Sequence, residues 1–143
     1  GGVGVPLPRG LRTPPWQGAW MEAVFVYGTL KRGERNHGLV APYLHRVLPG
    51  FVEGFRLYHL PRGPHRPYAY PGMVPGEGRV FGEVLFLRPE ALSLLDALEE
   101  EGEEYKRVRV RVETEEGPLE AWAYLYLGGL EGALPLPQGV WKG

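Results

Sequence analysis

The sequence predicts an α+β fold, in which a small and mainly antiparallel β-sheet, curved or closed into a barrel, is covered by one or two helices. Several segments alternate apolar and polar residues with a period of two, which is typical of half-buried strands. One segment has the 3.6-residue period of an amphipathic helix instead. The 22 glycines and 15 prolines among 143 residues then act as turn punctuation between these elements. A chain of this length fits one domain with a real core.

Six strands are predicted, near residues 23–27, 46–52, 55–60, 79–87, 106–113 and 119–127. The fifth is the clearest, because its valines and arginines alternate strictly: Val108, Val110 and Val112 with Arg107, Arg109 and Arg111. A turn over Glu115-Glu116-Gly117-Pro118 leads into the sixth, so the last two strands are expected to pair as a hairpin.

Two helices are expected between the strands. Pro89 is suited to the first position of a helix, and residues 90–99 continue with helical spacing. A shorter helix is predicted over residues 38–44. Short strands with one or two helices favour a curved or barrel-like sheet that has helices on one side.

Composition excludes several classes of partner and site. The net charge is −1 and no long run of Lys or Arg occurs, so nucleic acid is not expected as a partner. The chain has no cysteine, which excludes disulfides and thiolate chemistry and fits a reducing cytoplasm. With two Met and Asn36 as its single Asn, the composition favours a thermophilic source.

The first twenty residues read as an irregular Gly- and Pro-rich arm, and residues 21–143 as the single domain. Residues 1–20 lack the basic start and apolar run of a signal peptide, and no segment has membrane-spanning length. A cytoplasmic protein without membrane association is therefore predicted. Trp16 and Trp20 could hold the arm against the domain or against a neighbouring chain.

A short apolar strand runs into the turn Tyr27-Gly28-Thr29-Leu30, within the segment from Val24 to Gly33. Gly28 lacks a Cβ, so it can adopt a positive φ and let a ligand approach the main chain. The N–H groups of Thr29 and Leu30 could then point at an anionic or carbonyl oxygen. The segment is interpreted either as a ligand cradle or as a strand that ends in an ordinary turn.

The predicted second helix carries a carboxylate near its apolar face. At about 100° per residue, Glu99 lies roughly 20° from Leu92, which is closer than the other carboxylates of this helix. The apolar arc itself comprises Ala91, Leu92, Leu94, Leu95 and Leu98. Partial burial would raise the pKa of Glu99 and make it a proton acceptor near neutral pH. The alternative is that Glu99, Glu100 and Glu101 form a solvated acidic run at a fraying helix end.

Other catalytic motifs are incomplete. Gly28 to Gly33 has the spacing of a phosphate loop, but Glu34-Arg35 stands where Lys and Ser or Thr are required, so an NTPase is rejected. Three glycines precede a strand and do not form a dinucleotide-binding motif: Gly76, Gly78 and Gly82. Ser93, the single serine, lacks a nucleophile-elbow setting. The histidines lack metal-ligand spacing, so neither a metal nor another cofactor is expected: His37, His45, His59 and His65.

Five ordered blocks of the chain resemble the gamma-glutamylcyclotransferase-like family, especially its gamma-glutamylamine cyclotransferase branch. They are Val24-Phe-Val-Tyr-Gly-Thr-Leu-Lys-Arg-Gly-Glu-Arg-Asn-His37, Tyr70-Pro-Gly-Met-Val-Pro-Gly76, Val80-Phe-Gly-Glu-Val84, Leu95-Asp-Ala-Leu-Glu99 with Tyr105-Lys-Arg107, and Gly139-Val-Trp141. The resemblance implies a mixed β-barrel with helices packed outside and a pocket floored by the Tyr-Gly-Thr-Leu turn. It also implies that Glu99 is the general base or acid. Glu83 is the second-choice carboxylate, because it lies in a predicted strand whose residues Phe81 and Leu85 share its face.

The activity implied by the resemblance is cyclisation of a gamma-glutamyl amine or amino acid to 5-oxoproline, with release of the amine. Tyr27, Gly28, Thr29 and Leu30 would bind the substrate, together with Tyr70 and Tyr105. The tyrosines are interpreted either as pocket walls and hydroxyl donors or as packed aromatics, and Tyr70-Pro71-Gly72 either as a pocket edge or as a plain turn. The alternative function is a small-molecule binder without turnover on the same fold. The identity of the leaving amine and the oligomeric state are left open.

Overall fold

The structure is a computed structural model that describes residues 21–100, 102 and 104–143. The predicted arm over residues 1–20 lies outside the described residues. In chain order, the described elements are β1 (Glu22–Val26), α1 (His37–Val40), β2 (Leu44–Leu60), β3 (Tyr70–Leu87), α2 (Ala91–Leu98), β4 (Tyr105–Thr114), β5 (Leu119–Tyr126) and β6 (Leu134–Pro135).

Five strands close into a mixed barrel. They follow the order β3-β1-β5-β4-β2, and β2 pairs again with β3 to complete the ring. β1 and β5 run parallel, whereas the other neighbouring pairs run antiparallel. The short strand β6 adds to the outside of β2. The predicted fold class, a small and mainly antiparallel barrel with helical cover, is confirmed.

The barrel has an apolar layer on each of its two faces. Phe25 of β1 is buried in the interior, while its neighbours Val24 and Val26 belong to a second buried cluster outside. Ala91 and Leu95 of α2 pack on that outer cluster, which explains the apolar arc seen in the sequence. Burying one such side chain contributes about 1.5–3 kcal/mol, so both layers stabilise the barrel. β1 is thereby fixed from both sides, and so is the position where it ends.

The predicted hairpin of the last long strands is present. β4 and β5 pair from Tyr105 opposite Tyr126 to Val112 opposite Leu119. Gly117 adopts a φ of 99° in the turn, and its N–H donates to the Thr114 carbonyl at 3.0 Å. Gly at this position is required because positive φ is costly for other residues.

Three strand predictions are wrong in extent. The two strands predicted over 46–52 and 55–60 are one strand, β2, which bends at a bulge where Gly54 has a φ of 90°. β3 begins at Tyr70 and not near residue 79, so Tyr70-Pro71-Gly72 is strand and not a turn. Long antiparallel pairing with β2 outweighs the local turn preference of the Pro and Gly residues in this segment. β6 was not predicted.

The helices are shorter than predicted. α2 begins at Ala91, two residues after Pro89, because residues 88–90 form a turn in which the Arg88 carbonyl accepts the Ala91 N–H at 3.0 Å. It ends at Leu98, one residue before Glu99. α1 covers His37–Val40 and is followed by a 3-10 turn over Ala41–Tyr43. Neither α1 nor α2 has the length and apolar character needed to cross a bilayer.

Candidate active site

A small pocket opens where β1 ends and the chain turns away from the barrel. It has a volume of about 70 Å³, which suits a compact ligand group. All seven residues predicted for the site line this pocket: Tyr27, Gly28, Thr29, Leu30, Tyr70, Glu99 and Tyr105. Residues about 70 positions apart in the chain are thus brought into one cavity by closure of the barrel and by the packing of α2 against it.

The turn after β1 uses its carbonyl groups but leaves its N–H groups for the pocket. The Gly28 carbonyl accepts the Lys31 N–H at 3.1 Å, and the Thr29 carbonyl accepts the Asn36 N–H at 2.7 Å. The Leu30 carbonyl lies 2.9 Å from His37 Nδ1. No described group accepts a hydrogen bond from the N–H of residues 28–30, although Gly28 and Leu30 are buried. Unpaired buried N–H groups are costly, so this turn is suited to hold an oxygen ligand.

A glycine is required at position 28 because the turn leaves no space for a side chain there, and not because of its backbone conformation. The expectation that it adopts positive φ is wrong, since the positive-φ glycine of this segment is Gly33, at 83°. A Cβ on Gly28 would instead lie 2.4 Å from Cγ of Pro71, closer than such atoms approach. β3 therefore packs directly against the turn, and any larger residue at position 28 would push the two apart.

Glu99 follows α2 directly and faces the pocket. Its N–H still donates to the Leu95 carbonyl at 2.9 Å, so the helical turn continues through it. Glu100 then adopts a φ of 49°, which ends the helix. Burial and, to a smaller extent, the negative charge of Glu104 together raise the pKa of Glu99 from 4.5 to about 7. The placement near the buried face agrees with the prediction, and the solvated acidic run does not describe Glu99.

The hydroxyls of Tyr27 and Tyr105 are held by the main chain. Tyr27 donates to the Tyr124 carbonyl at 2.5 Å and accepts the Met73 N–H at 3.2 Å. Tyr105 donates to the Pro71 carbonyl at 2.8 Å. Burial raises the pKa of both phenols, so they stay protonated at neutral pH. Both side chains therefore brace the pocket as walls, with hydroxyls already engaged by the protein.

Tyr70 and several residues not singled out in the sequence complete the pocket. The Tyr70 hydroxyl donates to Oε1 of Glu104, a second carboxylate on the pocket wall. Asn36 donates through Nδ2 to Oγ1 of Thr29 at 3.0 Å and to the Tyr68 hydroxyl at 3.3 Å. Asn36 lies in the first block of the family resemblance, and Glu104 stands next to Tyr105. These positions beside residues already predicted for the site are the sequence features that could have identified Asn36 and Glu104.

Glu83, the second-choice carboxylate, does not line the pocket. It accepts the Arg32 N–H at 2.8 Å and forms an ion pair with the Arg32 side chain at 3.0 Å. Glu83 thus ties β3 to the segment that follows the ligand turn. Among the described residues, no group of three or more His, Asp or Glu side chains is arranged to hold a metal ion.

Known proteins resemble the chain in sequence and in fold. A family model described as gamma-glutamyl cyclotransferase, AIG2-like, matches residues 24–143. The chain is 35% identical over 120 residues to the gamma-glutamylcyclotransferase family protein YtfP of Escherichia coli, covering 82% of this chain and 94% of that protein. It is 36% identical over 106 residues to a bovine gamma-glutamylaminecyclotransferase, covering 71% and 63%.

Solved structures agree. A mouse AIG2-like protein has a TM-score of 0.65 at 24% identity, covering 82% of this chain and 86% of that one, a likeness that concerns the fold alone. The family model spans most of the chain, and the motif resemblance of the sequence is confirmed. The chain belongs to the gamma-glutamyl cyclotransferase, AIG2-like family of enzymes.

Proposed function

We propose that the protein cyclises gamma-glutamyl amines or amino acids to 5-oxoproline and releases the amine, with Glu99 as the general base and acid. The observation that carries this proposal is the shared pocket of Glu99 and the unpaired N–H groups of residues 28–30. A carboxylate with a pKa of about 7 both accepts and returns a proton near neutral pH. The names of the relatives support the same reaction class.

Few catalytic groups are required for this reaction, because the nucleophile and the electrophile belong to the same substrate molecule. The α-amine and the γ-carbonyl of a gamma-glutamyl group are separated by a chain that closes into a five-membered ring. Holding this chain folded supplies most of the gain from proximity. The small pocket, walled by Tyr27 and Tyr105, would favour the folded conformer over the extended one.

The proposed proton path runs through Glu99. Its carboxylate takes a proton from the substrate α-ammonium, and the free amine attacks the γ-carbonyl carbon. The N–H groups of Gly28, Thr29 and Leu30 bind the substrate carboxylate or the oxyanion that develops on the γ-carbonyl oxygen. Glu99 then gives its proton to the leaving nitrogen as the carbon–nitrogen bond breaks, and takes the second proton from the ring nitrogen. Transfer of that proton to the departing amine restores the Glu99 carboxylate, so the products are 5-oxoproline and an alkylammonium ion.

The test is incubation with a panel of gamma-glutamyl amines and amino acids, with 5-oxoproline as the readout, for the parent and for Glu99→Gln. Loss of general acid–base catalysis is expected to lower kcat about 10²- to 10⁴-fold. Glu90→Gln, an exposed carboxylate just before the same helix, is the matched control and should keep parent activity.

Two outcomes contradict the proposal in different ways. A Glu99→Gln variant that cyclises as fast as the parent would remove Glu99 from the mechanism. Binding of a panel member without turnover by the parent would favour a non-catalytic small-molecule binder on this fold.

A further inference from the structure

Asn36 precedes α1 directly, at the position where an asparagine side chain ordinarily caps a helix. Such a side chain accepts a hydrogen bond from an N–H group of the first turn. No described N–H group of α1 donates to the Asn36 side chain, whereas its main-chain carbonyl accepts the Leu39 N–H at 3.0 Å. The side-chain amide therefore does not hold the helix, and it lies on the wall of the pocket instead.

The Asn36 amide donates to two hydroxyl groups of the same pocket. Its Nδ2 lies 3.0 Å from Oγ1 of Thr29 and 3.3 Å from the Tyr68 hydroxyl. An amide nitrogen carries two hydrogens, so these two contacts use both of them. The main-chain N–H of Asn36 also donates to the Thr29 carbonyl, at 2.7 Å. Asn36 thus holds Thr29 at two points.

The direction of these hydrogen bonds decides what the two hydroxyls can do. A hydroxyl has one hydrogen to donate and two lone pairs that accept. Because Thr29 and Tyr68 each accept a hydrogen bond from Asn36, each keeps its own hydrogen for another partner. No described residue accepts a hydrogen bond from either hydroxyl. Both residues line the pocket, so a ligand oxygen can be the acceptor.

Tyr68 lies in the connection between β2 and β3, and its ring is held on two sides. The Arg35 guanidinium lies 4.1 Å from the ring centre, a cation–π contact. The Tyr70 ring packs edge-on against it at a centroid distance of 6.1 Å. Since Arg35 and Asn36 are adjacent in the chain, one short segment holds both the ring face and the hydroxyl of Tyr68.

We propose that Asn36 is a positioning residue, which acts on the ligand through the hydroxyls of Thr29 and Tyr68. The substrate presents two oxygen-bearing groups, its carboxylate and the γ-carbonyl that becomes an oxyanion. The three N–H groups of residues 28–30 are too few for both, since a carboxylate alone has about four lone-pair sites. The two hydroxyls supply further oriented donors in the same pocket. This inference rests on the proposed cyclotransferase function.

Binding of the product, 5-oxoproline, tests the proposal, because the product carries both a carboxylate and a lactam carbonyl. Calorimetry gives its Kd for the parent and each variant. Thr29→Val keeps the shape of the side chain but removes the hydroxyl, and should weaken binding about tenfold, the ratio that about 1.4 kcal/mol produces. Thr114→Val is the matched control: its hydroxyl donates to the Gly117 carbonyl at 2.7 Å outside the pocket, so the affinity should be unchanged.

A double-mutant cycle separates positioning from a structural role. In the parent, Asn36→Ala should weaken binding of 5-oxoproline about tenfold. In the Thr29→Val/Tyr68→Phe background, where both hydroxyls are absent, the same change should cost less than about threefold. A structural role of Asn36 predicts the same loss in both backgrounds, and that result would overturn the proposal.

Asn36→Asp tests the direction of the hydrogen bonds. It keeps the size of the side chain and the preference for a helix N-cap. It also replaces the donor by an acceptor, so the two hydroxyls turn their hydrogens toward it and away from the ligand. We expect a loss of product affinity at least as large as for Asn36→Ala, although the midpoint of urea unfolding is kept. An Asn36→Asp variant that binds 5-oxoproline like the parent would overturn the proposal.

The cyclotransferase function can fail separately from the role of Asn36. Asn36 variants that bind 5-oxoproline as the parent does would overturn the positioning role, while turnover by the parent leaves the cyclotransferase function standing. A parent that binds 5-oxoproline but never forms it would overturn the cyclotransferase function, and the binding cycle would still decide the role of Asn36. A parent that neither forms nor binds 5-oxoproline would overturn both.

Discussion

Glu99 combines two properties that oppose each other. Its carboxylate is desolvated in the pocket and lies near the charge of Glu104, and both effects disfavour its ionised form. The same effects bring its pKa to about 7, where it can exchange protons at neutral pH. The property that suits Glu99 to acid–base chemistry therefore has a cost. Above about pH 7 the folded protein holds an ionised carboxylate in a desolvated position, which destabilises the fold.

The pH dependence of stability should reveal this cost. The pKa of Glu99 is about 7 in the folded protein against 4.5 ordinarily, so the folded state holds a proton that the unfolded state has released. The contribution of the Glu99 carboxyl to the free energy of unfolding is fully present below pH 4.5 and is lost as the pH rises through 7. Glu99→Gln removes the titration. It should match the parent near pH 4 and be more stable by up to roughly 3 kcal/mol at pH 8.

Urea unfolding of the parent and Glu99→Gln at pH 4, 6 and 8 measures this difference. Other titrating groups are common to both proteins and cancel. Glu90→Gln should show no comparable change with pH, since Glu90 is exposed. A difference between parent and Glu99→Gln that stays constant from pH 4 to pH 8 would show that the carboxylate is solvated in the folded state.

Helical periodicity could predict the position of Glu99 but not that of Glu104. The leucines of α2 fix which side of the helix is buried, and Glu99 follows from them. Glu104 lies in the irregular segment before β4, where no period relates neighbouring residues. Its place in the pocket depends on the approach of Tyr70 from β3, a contact across 34 positions that no local pattern encodes.

The turn after β1 depends on a close packing with β3. Pro71 occupies the space that a side chain at position 28 would need, and the Pro71 carbonyl is held by the Tyr105 hydroxyl at 2.8 Å. Pro71 therefore has little freedom to move aside. The geometry of the N–H groups over residues 28–30 is consequently coupled to the start of β3.

Gly28→Ala should damage both stability and ligand binding. The added methyl would lie 2.4 Å from Cγ and 2.7 Å from Cδ of Pro71. Relieving such an overlap typically costs about 1–3 kcal/mol and here shifts the turn away from the pocket. We expect a lower midpoint of urea unfolding together with a raised KM. Gly38→Ala is the matched control.

The Gly38 control isolates the packing effect. Gly38 lies in α1, is exposed, and has no atom within 4 Å of an added Cβ. Alanine there should be neutral or stabilising by up to about 1 kcal/mol, since Ala is the better helix former. Equal behaviour of the two variants would mean that the Pro71 contact does not constrain the turn.

The strands show which element boundaries a sequence can reveal. The β4–β5 hairpin was predictable, because strict alternation and a Gly-Pro turn mark it within one local segment. The first half of β3 was not, because Pro71, Gly72 and Pro75 resemble turn residues and become strand only through pairing with β2. Barrel closure itself joins β2 to β3 and β1 to β5, contacts that need the whole chain.

At the scale of the whole molecule, the C-terminal segment ties the ligand turn to the barrel. Trp141 is buried in the interior cluster, and its indole N–H donates to Nδ1 of His59 on β2 at 3.0 Å. Its carbonyl accepts a hydrogen bond from Nζ of Lys31, next to the ligand turn, at 2.6 Å. Gly139, just before it, has a φ of 72°, and its carbonyl accepts the Phe81 N–H at 2.8 Å.

Removing the Trp141 side chain should therefore weaken the whole fold and not only the end of the chain. Truncation of a buried Trp to Ala typically costs about 3–5 kcal/mol, so Trp141→Ala should lower the free energy of unfolding by that amount. Trp141→Phe keeps most of the bulk and should cost less. Val140→Ala, at the exposed neighbouring position, should change stability by less than about 0.5 kcal/mol. Urea unfolding monitored by far-UV circular dichroism measures all three, and a Trp141→Ala variant as stable as Val140→Ala would exclude the C-terminal segment from the cooperative unit.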